Sequence, residues 1–224
     1  WWSHRGDRLD TRLTRALDLR GVTQATLTFD LRVDTEEGYD YGYVMVSTDG
    51  GARWQLLGGR HTTTANPTGN NLGVGYTGKS GGQGSAGGTA QWVREEIDLS
   101  PYAGQQLALR FEYVTDDAYN AEGIAVANIA VPELGWQDDG TGWTAEGFVW
   151  VENALPQRFA VQAVEYRGAG ITVRQVPLDA DGRATLDLPD LGGELTAAVI
   201  AVSGLTPVTL QPARYTLDVE PLAR

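Results

Sequence analysis

Residues 34–54 constrain the fold of this chain more than any other stretch, and they read DTEEGYDYGYVMVSTDGGARW. Residues 41–47 are mostly aromatic or β-branched and include no proline, which is the composition of a β-strand. Asp49–Gly51 follow, and these residues tolerate the positive φ angles of a tight hairpin turn. The stretch therefore predicts a strand, a turn and the start of a returning strand.

Period-2 patterns predict further strands up to residue 131. Residues 25–33 alternate polar and apolar side chains, as does the run from Leu107 to Val114. Strands are also predicted at 92–99 and 123–131. Residues 1–18 carry leucines at helical spacing as well as an alternating pattern, and we interpret them as a strand. With no convincing helix, the chain is predicted to be all-β.

Residues 132–142, rich in Pro, Gly and Asp, are the best domain boundary. We predict a jelly-roll-like β-sandwich over residues 1–133 and a second, smaller β-sandwich, immunoglobulin- or fibronectin-like, over 134–224. Six short strand candidates follow the boundary region, at 148–151, 159–166, 171–176, 184–188, 195–202 and 215–219. Residues 196–202 are apolar on both alternating faces, which predicts a strand buried between two layers.

The segment 60–91 is predicted to be a long loop, because it is rich in Gly, Ser, Thr and Asn with few large apolar residues. Loops of this length are either functional or flexible, and the sequence leaves both open. A phosphate-binding interpretation of Gly73–Gly75 or Lys79–Ser80 fails, because no amphipathic helix follows to offer its N-terminus.

Charge and composition exclude several function classes. Lys and Arg number 17 against 29 Asp and Glu, for a net charge of −12, whereas a nucleic-acid partner needs a basic face. There is no Cys, which removes disulfides, thiolate zinc sites and cysteine nucleophiles. No apolar run approaches the ~18 residues of a membrane span. The chain begins at Trp1 without a signal segment, which indicates a processed or excised fragment.

Catalytic motifs are sparse. His4 and His61 are the only histidines, and neither lies in an H-E-x-x-H arrangement, so the chain by itself is no zinc peptidase of that type. A serine triad would need one of these histidines beside a nucleophilic serine, and no elbow motif is present. Paired carboxylates could cleave glycosides, but acidic residues are abundant throughout. We therefore predict a protein that is not an enzyme.

Calcium binding is better supported by the residues. Calcium takes hard oxygen ligands from loops that converge at a sheet edge, and three acidic segments border predicted strands of the first sandwich. The candidate ligands are Glu36, Glu37, Asp40, Asp116, Asp117, Asp7 and Asn128. The alternative is that these are solvated surface acids on an acidic protein. No EF-hand spacing exists, so a site would be discontinuous.

Two recognition motifs carry less weight. Exposed aromatic residues can form a carbohydrate platform, and the candidates are Tyr39, Tyr41, Trp54 and Tyr76. Aromatic residues alternating along strands belong more often to the core. The tripeptide Arg5–Asp7 (Arg-Gly-Asp) matches an integrin-adhesion motif, but three residues contain little information.

Taken together, several segments resemble the region that follows the catalytic domain in immune inhibitor A-like secreted metallopeptidases, the M6 family. They are WWSHRGDRLDTRLTRALDL, DTEEGYDYGYVMVSTDGGARW, LSPYAGQQLALRFEYVTDDA and GIAVANIAV, with GWTAEGFVWVENALPQRFAVQ and AAVIAVSGLTPVTLQPARY further on. The resemblance covers most of the chain. It implies an extracellular or cell-surface bacterial accessory domain with a jelly-roll-like fold and bound calcium, without the protease activity.

Two functions follow from these observations. The first is a calcium-stabilised accessory module of a secreted peptidase, with the catalytic domain of the same precursor as a partner, which aids substrate access or attachment to a surface protein or glycan. The second is a structural or adhesive cell-surface protein that self-associates or forms filaments through exposed strand edges. Neither involves nucleic acid or a membrane span.

Overall fold

The structure, a computed structural model, describes residues 1–81, 88–152, 157–206 and 212–221. Their strands are β1 (Asp10–Asp18), β2 (Thr26–Asp34), β3 (Tyr41–Ser47), β4 (Gln55–Leu57), β5 (Val93–Asp98), β6 (Gln106–Val114), β7 (Gly123–Val131), β8 (Trp136–Gln137), β9 (Trp143–Glu146), β10 (Phe159–Arg167), β11 (Gly170–Val176) and β12 (Leu195–Gly204). All strand pairs are antiparallel, which confirms the all-β prediction. None of these described segments is a helix long and apolar enough to cross a membrane.

Residues Trp1–Val151 form the first of two compact units. It contains a five-stranded sheet in the order β4-β3-β6-β1-β9 and a four-stranded sheet in the order β5-β2-β7-β8. One core of buried side chains joins the two sheets; Phe29 of β2 and Phe111 of β6, for example, meet edge to face with ring centroids 5.2 Å apart. The first unit is therefore a β-sandwich.

The alternation of side chains explains why β2 and β6 face this core. Leu27, Phe29 and Leu31 of β2 are at most 1% exposed, and Leu109 and Phe111 of β6 are equally buried. Each such side chain contributes roughly 1.5–3 kcal/mol when it leaves water. Strands β2 and β6 therefore bury the apolar faces that their alternating patterns predict.

Strand β3 is buried along its whole length. Tyr43, on the outward face, accepts a hydrogen bond at its hydroxyl from the Leu72 amide (3.0 Å), and Gly42 and Tyr76 exchange two backbone hydrogen bonds of 2.8 Å. Both partners come from the predicted long loop, so its described residues near Leu72 and Tyr76 pack against the five-stranded sheet. The predicted turn after β3 is confirmed, with positive φ at Gly50 (73°) and Gly51 (94°).

The predicted domain boundary after residue 133 falls inside the first unit, because the division lies between Val151 and Glu152. Strand β9 pairs with β1, Arg15 opposite Trp143, and the Trp143 ring lies 6.0 Å from that of Phe111. Residues 132–151 therefore complete the first sandwich, although the turn-rich composition of residues 132–142 predicts a boundary.

The second unit, residues Glu152–Arg224, contains one three-stranded sheet, β11-β10-β12, among its described residues. Three predicted strands correspond to this sheet. The other three are wrong: 184–188 and 215–219 have no regular structure, and residues 148–151, in the first unit, make one isolated bridge through Val149. The buried-strand prediction for 196–202 is also wrong, since Val199 is 51% exposed. A second sandwich stays a prediction.

Candidate metal centre

Two acidic loops meet at one end of the five-stranded sheet. Residues 35–40 join β2 to β3, and residues 115–122 join β6 to β7. Strands β3 and β6 are neighbours, with Tyr41 opposite Val114. Since Tyr41 begins β3 and Val114 ends β6, the residues just outside these strands lie close together.

A tight turn folds the first loop. The amides of Tyr39 and Asp40 both donate to the Glu36 carbonyl, at 3.3 and 3.0 Å. Gly38 within the turn has a φ of 82°, a conformation that glycine adopts without the steric cost of a side chain. The turn brings Glu36 and Asp40 near each other, although three residues separate them.

The carboxylates of Glu36, Asp40 and Asp116 each offer an oxygen within 4.8 Å of the other two. The two loops are joined directly, because the Asp116 amide donates to Asp40 Oδ1 at 3.1 Å. Asp40 is fully buried, with 0% of its surface exposed, whereas Glu36 and Asp116 are half-buried. The cluster therefore has a buried base and a more accessible rim.

None of the described residues forms a hydrogen bond with Asp40 Oδ2 in this buried position. The Tyr113 hydroxyl lies near the Asp40 carboxylate, and burial followed by this proximity raises the pKa of Tyr113, although the distance and angle between the two groups fall short of a hydrogen bond. An unpaired buried carboxylate oxygen costs substantial free energy. A bound cation would provide Asp40 Oδ2 with a partner.

The raised pKa values in the cluster also favour a bound cation. Burial, and then the charges of Asp116 and Glu36, raise the pKa of Asp40 to about 6, against the hydrogen bond from the Asp116 amide. The pKa of Glu36 is also raised, by burial and by Asp116. The nearby Arg8 pairs with Asp117 rather than with these carboxylates. Negative charge thus accumulates here, and none of the ion pairs in the described part of the chain involves these three carboxylates.

This donor set suits a hard cation. All three groups are carboxylates, which calcium and magnesium prefer, whereas zinc sites use mainly histidine and cysteine. Calcium takes about six to eight oxygens in flexible geometry, and magnesium demands a near-ideal octahedron. Three carboxylates from two loops, with water on the accessible side, would serve calcium well. The site would be discontinuous, as the absence of an EF-hand motif predicts.

The structure brings together three of the seven predicted ligands and places the other four elsewhere. Glu37 is exposed. Asp117 pairs with Arg8 at 3.0 Å. Asp7 accepts a hydrogen bond from Asn120 (2.8 Å), and Asn128 donates to Asp30. Adjacent acids in a sequence thus have different neighbours in the fold.

Sequence reasoning missed a second buried carboxylate, Glu95, which is 0% exposed. It accepts hydrogen bonds from the amides of Arg60 (2.7 Å) and His61 (3.0 Å) and contacts His61 Nδ1. The signal in the sequence is an acid between Val93 and Ile97 at an inward-facing position of β5. Glu95 anchors the start of the long loop to the four-stranded sheet.

The remaining recognition motifs find structural roles. Asn120 binds both ends of the Arg-Gly-Asp tripeptide, accepting from Arg5 (3.2 Å) and donating to Asp7 (2.8 Å). Tyr41 and Tyr76 are buried, as the core interpretation predicted. The Trp54 ring is covered by the Arg110 guanidinium, 3.8 Å from its centroid. Of the four aromatic candidates, Tyr39 alone is largely exposed, at 43%.

The chain is similar in sequence to parts of several known bacterial proteins. The chain is 33% identical over 129 residues to the pre-pro-metalloprotease PrtV of Vibrio cholerae, which covers 58% of this chain and 12% of PrtV. It is 26% identical over 147 residues to immune inhibitor A of Bacillus thuringiensis, covering 63% of this chain and 19% of that protein. Bacillopeptidase F of Bacillus subtilis is 29% identical over 98 residues, 44% of this chain and 5% of that protein.

The chain thus spans less than a fifth of the length of each of these relatives. Residues 1–153 match the model of the immune inhibitor A-like MAM domain, a stretch that contains the whole first sandwich and the acidic cluster. Because this match covers more than half of the chain, the protein belongs to the immune inhibitor A-like MAM domain family.

Proposed function

We propose that this chain is a non-catalytic, calcium-stabilised accessory region of an extracellular bacterial metalloprotease. The observation on which the calcium site rests is the fully buried Asp40, which lies beside two further carboxylates and whose Oδ2 has no hydrogen-bond partner among the described residues. The accessory role is supported by the family match and by relatives that include a metalloprotease precursor.

The surroundings of the two histidines support the absence of catalysis. The His4 ring packs against Trp2, with centroids 4.8 Å apart. His61 contacts the buried Glu95, which is held by backbone amides at the base of a loop. Both histidines thus have structural neighbours, and the sequence lacks the H-E-x-x-H motif of a zinc peptidase.

The accessory role we propose is to present a rigid surface beside the catalytic domain of the same precursor. Calcium would neutralise the acidic cluster and hold the loops 35–40 and 115–122 in one arrangement. A fixed loop surface can shape substrate access, or attach the enzyme to a surface protein or glycan, at lower entropic cost than a mobile one.

Isothermal titration of calcium into the chelator-treated chain tests the site. We expect one calcium ion per chain, and loss of binding in Asp40→Asn, which removes one ligand charge while keeping the side-chain shape. Glu37→Gln is the matched control, because Glu37 lies beside Glu36 in the same loop but is exposed. No binding heat at any calcium concentration up to the millimolar range would reject the site.

The second candidate function, self-association, is favoured by exposed apolar side chains in the second unit. Tyr166 and Val164 of β10 lie opposite Ile171 and Val173 of β11, and Ile171 and Val173 are 65% and 59% exposed. Sedimentation velocity over a range of concentrations tests this function. An oligomer that is lost in Val173→Thr would support it, and a monomer throughout would reject it.

A further inference from the structure

The segment 4–9 runs alongside the loop 115–122 that supplies Asp116 to the acidic cluster. The Arg8 amide donates to the Asp116 carbonyl (2.5 Å), and the Thr115 amide donates to the Leu9 carbonyl (3.0 Å). The Thr115 hydroxyl accepts from the Leu9 amide (2.8 Å) and donates to the Gly6 carbonyl (2.9 Å). The two segments are therefore joined by backbone and side-chain hydrogen bonds.

Side chains of the same loop also contact side chains of the segment. Arg8 and Asp117 form an ion pair of 3.0 Å. Asn120 binds Arg5 and Asp7 on either side of Gly6. Since Arg8 and Asp117 are largely exposed, this pair contributes little by itself. The attachment of the segment depends on the loop keeping its shape.

The backbone of the segment also requires external support. His4 has a φ of 67° and Arg8 a φ of 55°, and Tyr119 in the facing loop has a φ of 54°. Left-handed conformations are unfavourable for non-glycine residues and persist where the surroundings impose them. Without its contacts to the loop, the segment would relax to other conformations.

Asp116 connects this attachment to the candidate cation. Its side chain belongs to the cluster, its amide donates to Asp40 Oδ1 and its carbonyl accepts from the Arg8 amide. Without a cation the three carboxylates repel one another, and the repulsion acts on the residue that holds the segment. With a cation, the same residue is fixed from both sides.

We propose that a calcium ion bound by Glu36, Asp40 and Asp116 locks the segment 4–9 onto the sandwich, so that calcium controls whether proteases can reach this segment. The proposal rests on the calcium site of the proposed function. By linkage, detachment of the segment must weaken calcium binding by the same factor as calcium loss promotes detachment.

Limited trypsin digestion followed by mass spectrometry tests the lock. Trypsin cleaves after arginine, and the segment contains Arg5 and Arg8, both exposed. If cleavage requires an open state that has lost calcium, its rate falls by the factor 1 + [Ca²⁺]/Kd, which is about 100-fold at a hundredfold excess over Kd. Cleavage after Arg183, in an exposed turn of the second unit, corrects for the effect of calcium on trypsin itself.

We expect calcium to slow cleavage after Arg5 and Arg8 relative to Arg183 by tenfold or more in the wild-type chain. Asp40→Asn should be cleaved at the same rate in calcium and in chelator, because it no longer binds the ion. Asn120→Ala, which keeps all three carboxylates, should be cleaved faster than wild type in calcium while still binding the ion by calorimetry.

The outcomes separate the two proposals. Calcium binding by calorimetry with an unchanged ratio of cleavage rates would overturn the lock and leave the site intact. Absence of calcium binding would overturn the site, and with it the lock. Equal protection of the segment in Asn120→Ala and wild type would count against attachment through the loop 115–122, and so against the lock.

Discussion

Replacing Asp40 by Asn should abolish the calcium-dependent rise in the melting temperature of the first unit. The substitution removes a buried negative charge but keeps the volume of the side chain. Asn Oδ1 can still accept the hydrogen bond from the Asp116 amide, which wild-type Asp40 accepts at 3.1 Å. The variant therefore tests the cation ligand rather than the packing of the loop.

The size of the expected shift follows from the size of the unit. At a calcium concentration of 100 times Kd, binding stabilises the folded state by about 2.7 kcal/mol. An unfolding entropy of about 2.1 cal/mol/K per residue, applied to the unit Trp1–Val151, gives roughly 0.3 kcal/mol per degree. The wild-type melting temperature should therefore rise by about 8 °C in calcium, and that of Asp40→Asn should not change.

Tryptophan fluorescence can follow this transition in the full chain. All seven tryptophans lie between Trp1 and Trp150, within the first unit, so the signal reports on the unit that contains the cluster. Glu37→Gln, which removes an exposed charge from the same loop, should keep the full calcium-dependent shift.

The melting temperatures of wild type and Asp40→Asn in chelator provide a second test. Because burial raises the pKa of Asp40, its charged form is unfavourable without a cation, and Asp40→Asn should melt at or above the wild-type temperature in chelator. The reasoning is refuted if wild type melts identically in calcium and chelator, or if Asp40→Asn keeps the calcium-dependent shift.

Two further predictions concern other parts of the molecule. Gly59→Ala should lower the melting temperature of the first unit, because its Cβ would lie 2.1 Å from Glu95 Oε2, whereas Gly21→Ala, with nothing within 4 Å of its Cβ, should change it little. In the second unit, hydrogen bonds from arginines, above all Arg174, lower the pKa of Glu165. The charged Glu165 therefore stabilises the folded state above its unfolded pKa of about 4.3, and this stabilisation is lost as the pH falls through the folded pKa. Hydrogen exchange of β10–β12 should therefore show that Glu165→Gln is less stable than wild type at pH 7, and that this difference in stability is smaller at pH 3. A difference that does not change with pH would contradict the ion-pair explanation.

Local sequence determined most strands of the first sandwich and their buried faces. Strands β2 and β6 alternate apolar and polar side chains, and the period of a strand sends these to opposite faces whatever the sheet order. The turn after β3 was likewise predictable, because Asp49–Gly51 tolerate the backbone angles that it requires. The acidic residues of the two loops could also be recognised as candidate ligands.

The same local signals were insufficient where a strand needs a distant partner. Tyr215, Leu217 and Val219 alternate as the residues of β2 do, yet residues 215–219 form no strand in the structure. Residues 143–146, for which the sequence predicts no strand, form β9 because they pair with β1. Pairing partners are absent from a local pattern, so strand formation at these places was decided by the tertiary structure.

The choice of ligands within the acidic loops was decided in the same way. Asp40 and Asp116 are 76 positions apart, and they meet because β3 lies next to β6 in the sheet. Glu37 and Asp117, each adjacent in sequence to a member of the cluster, face other surroundings. The sequence determined that carboxylates border these strands, whereas the sheet order and the direction of each side chain determined which three share one site.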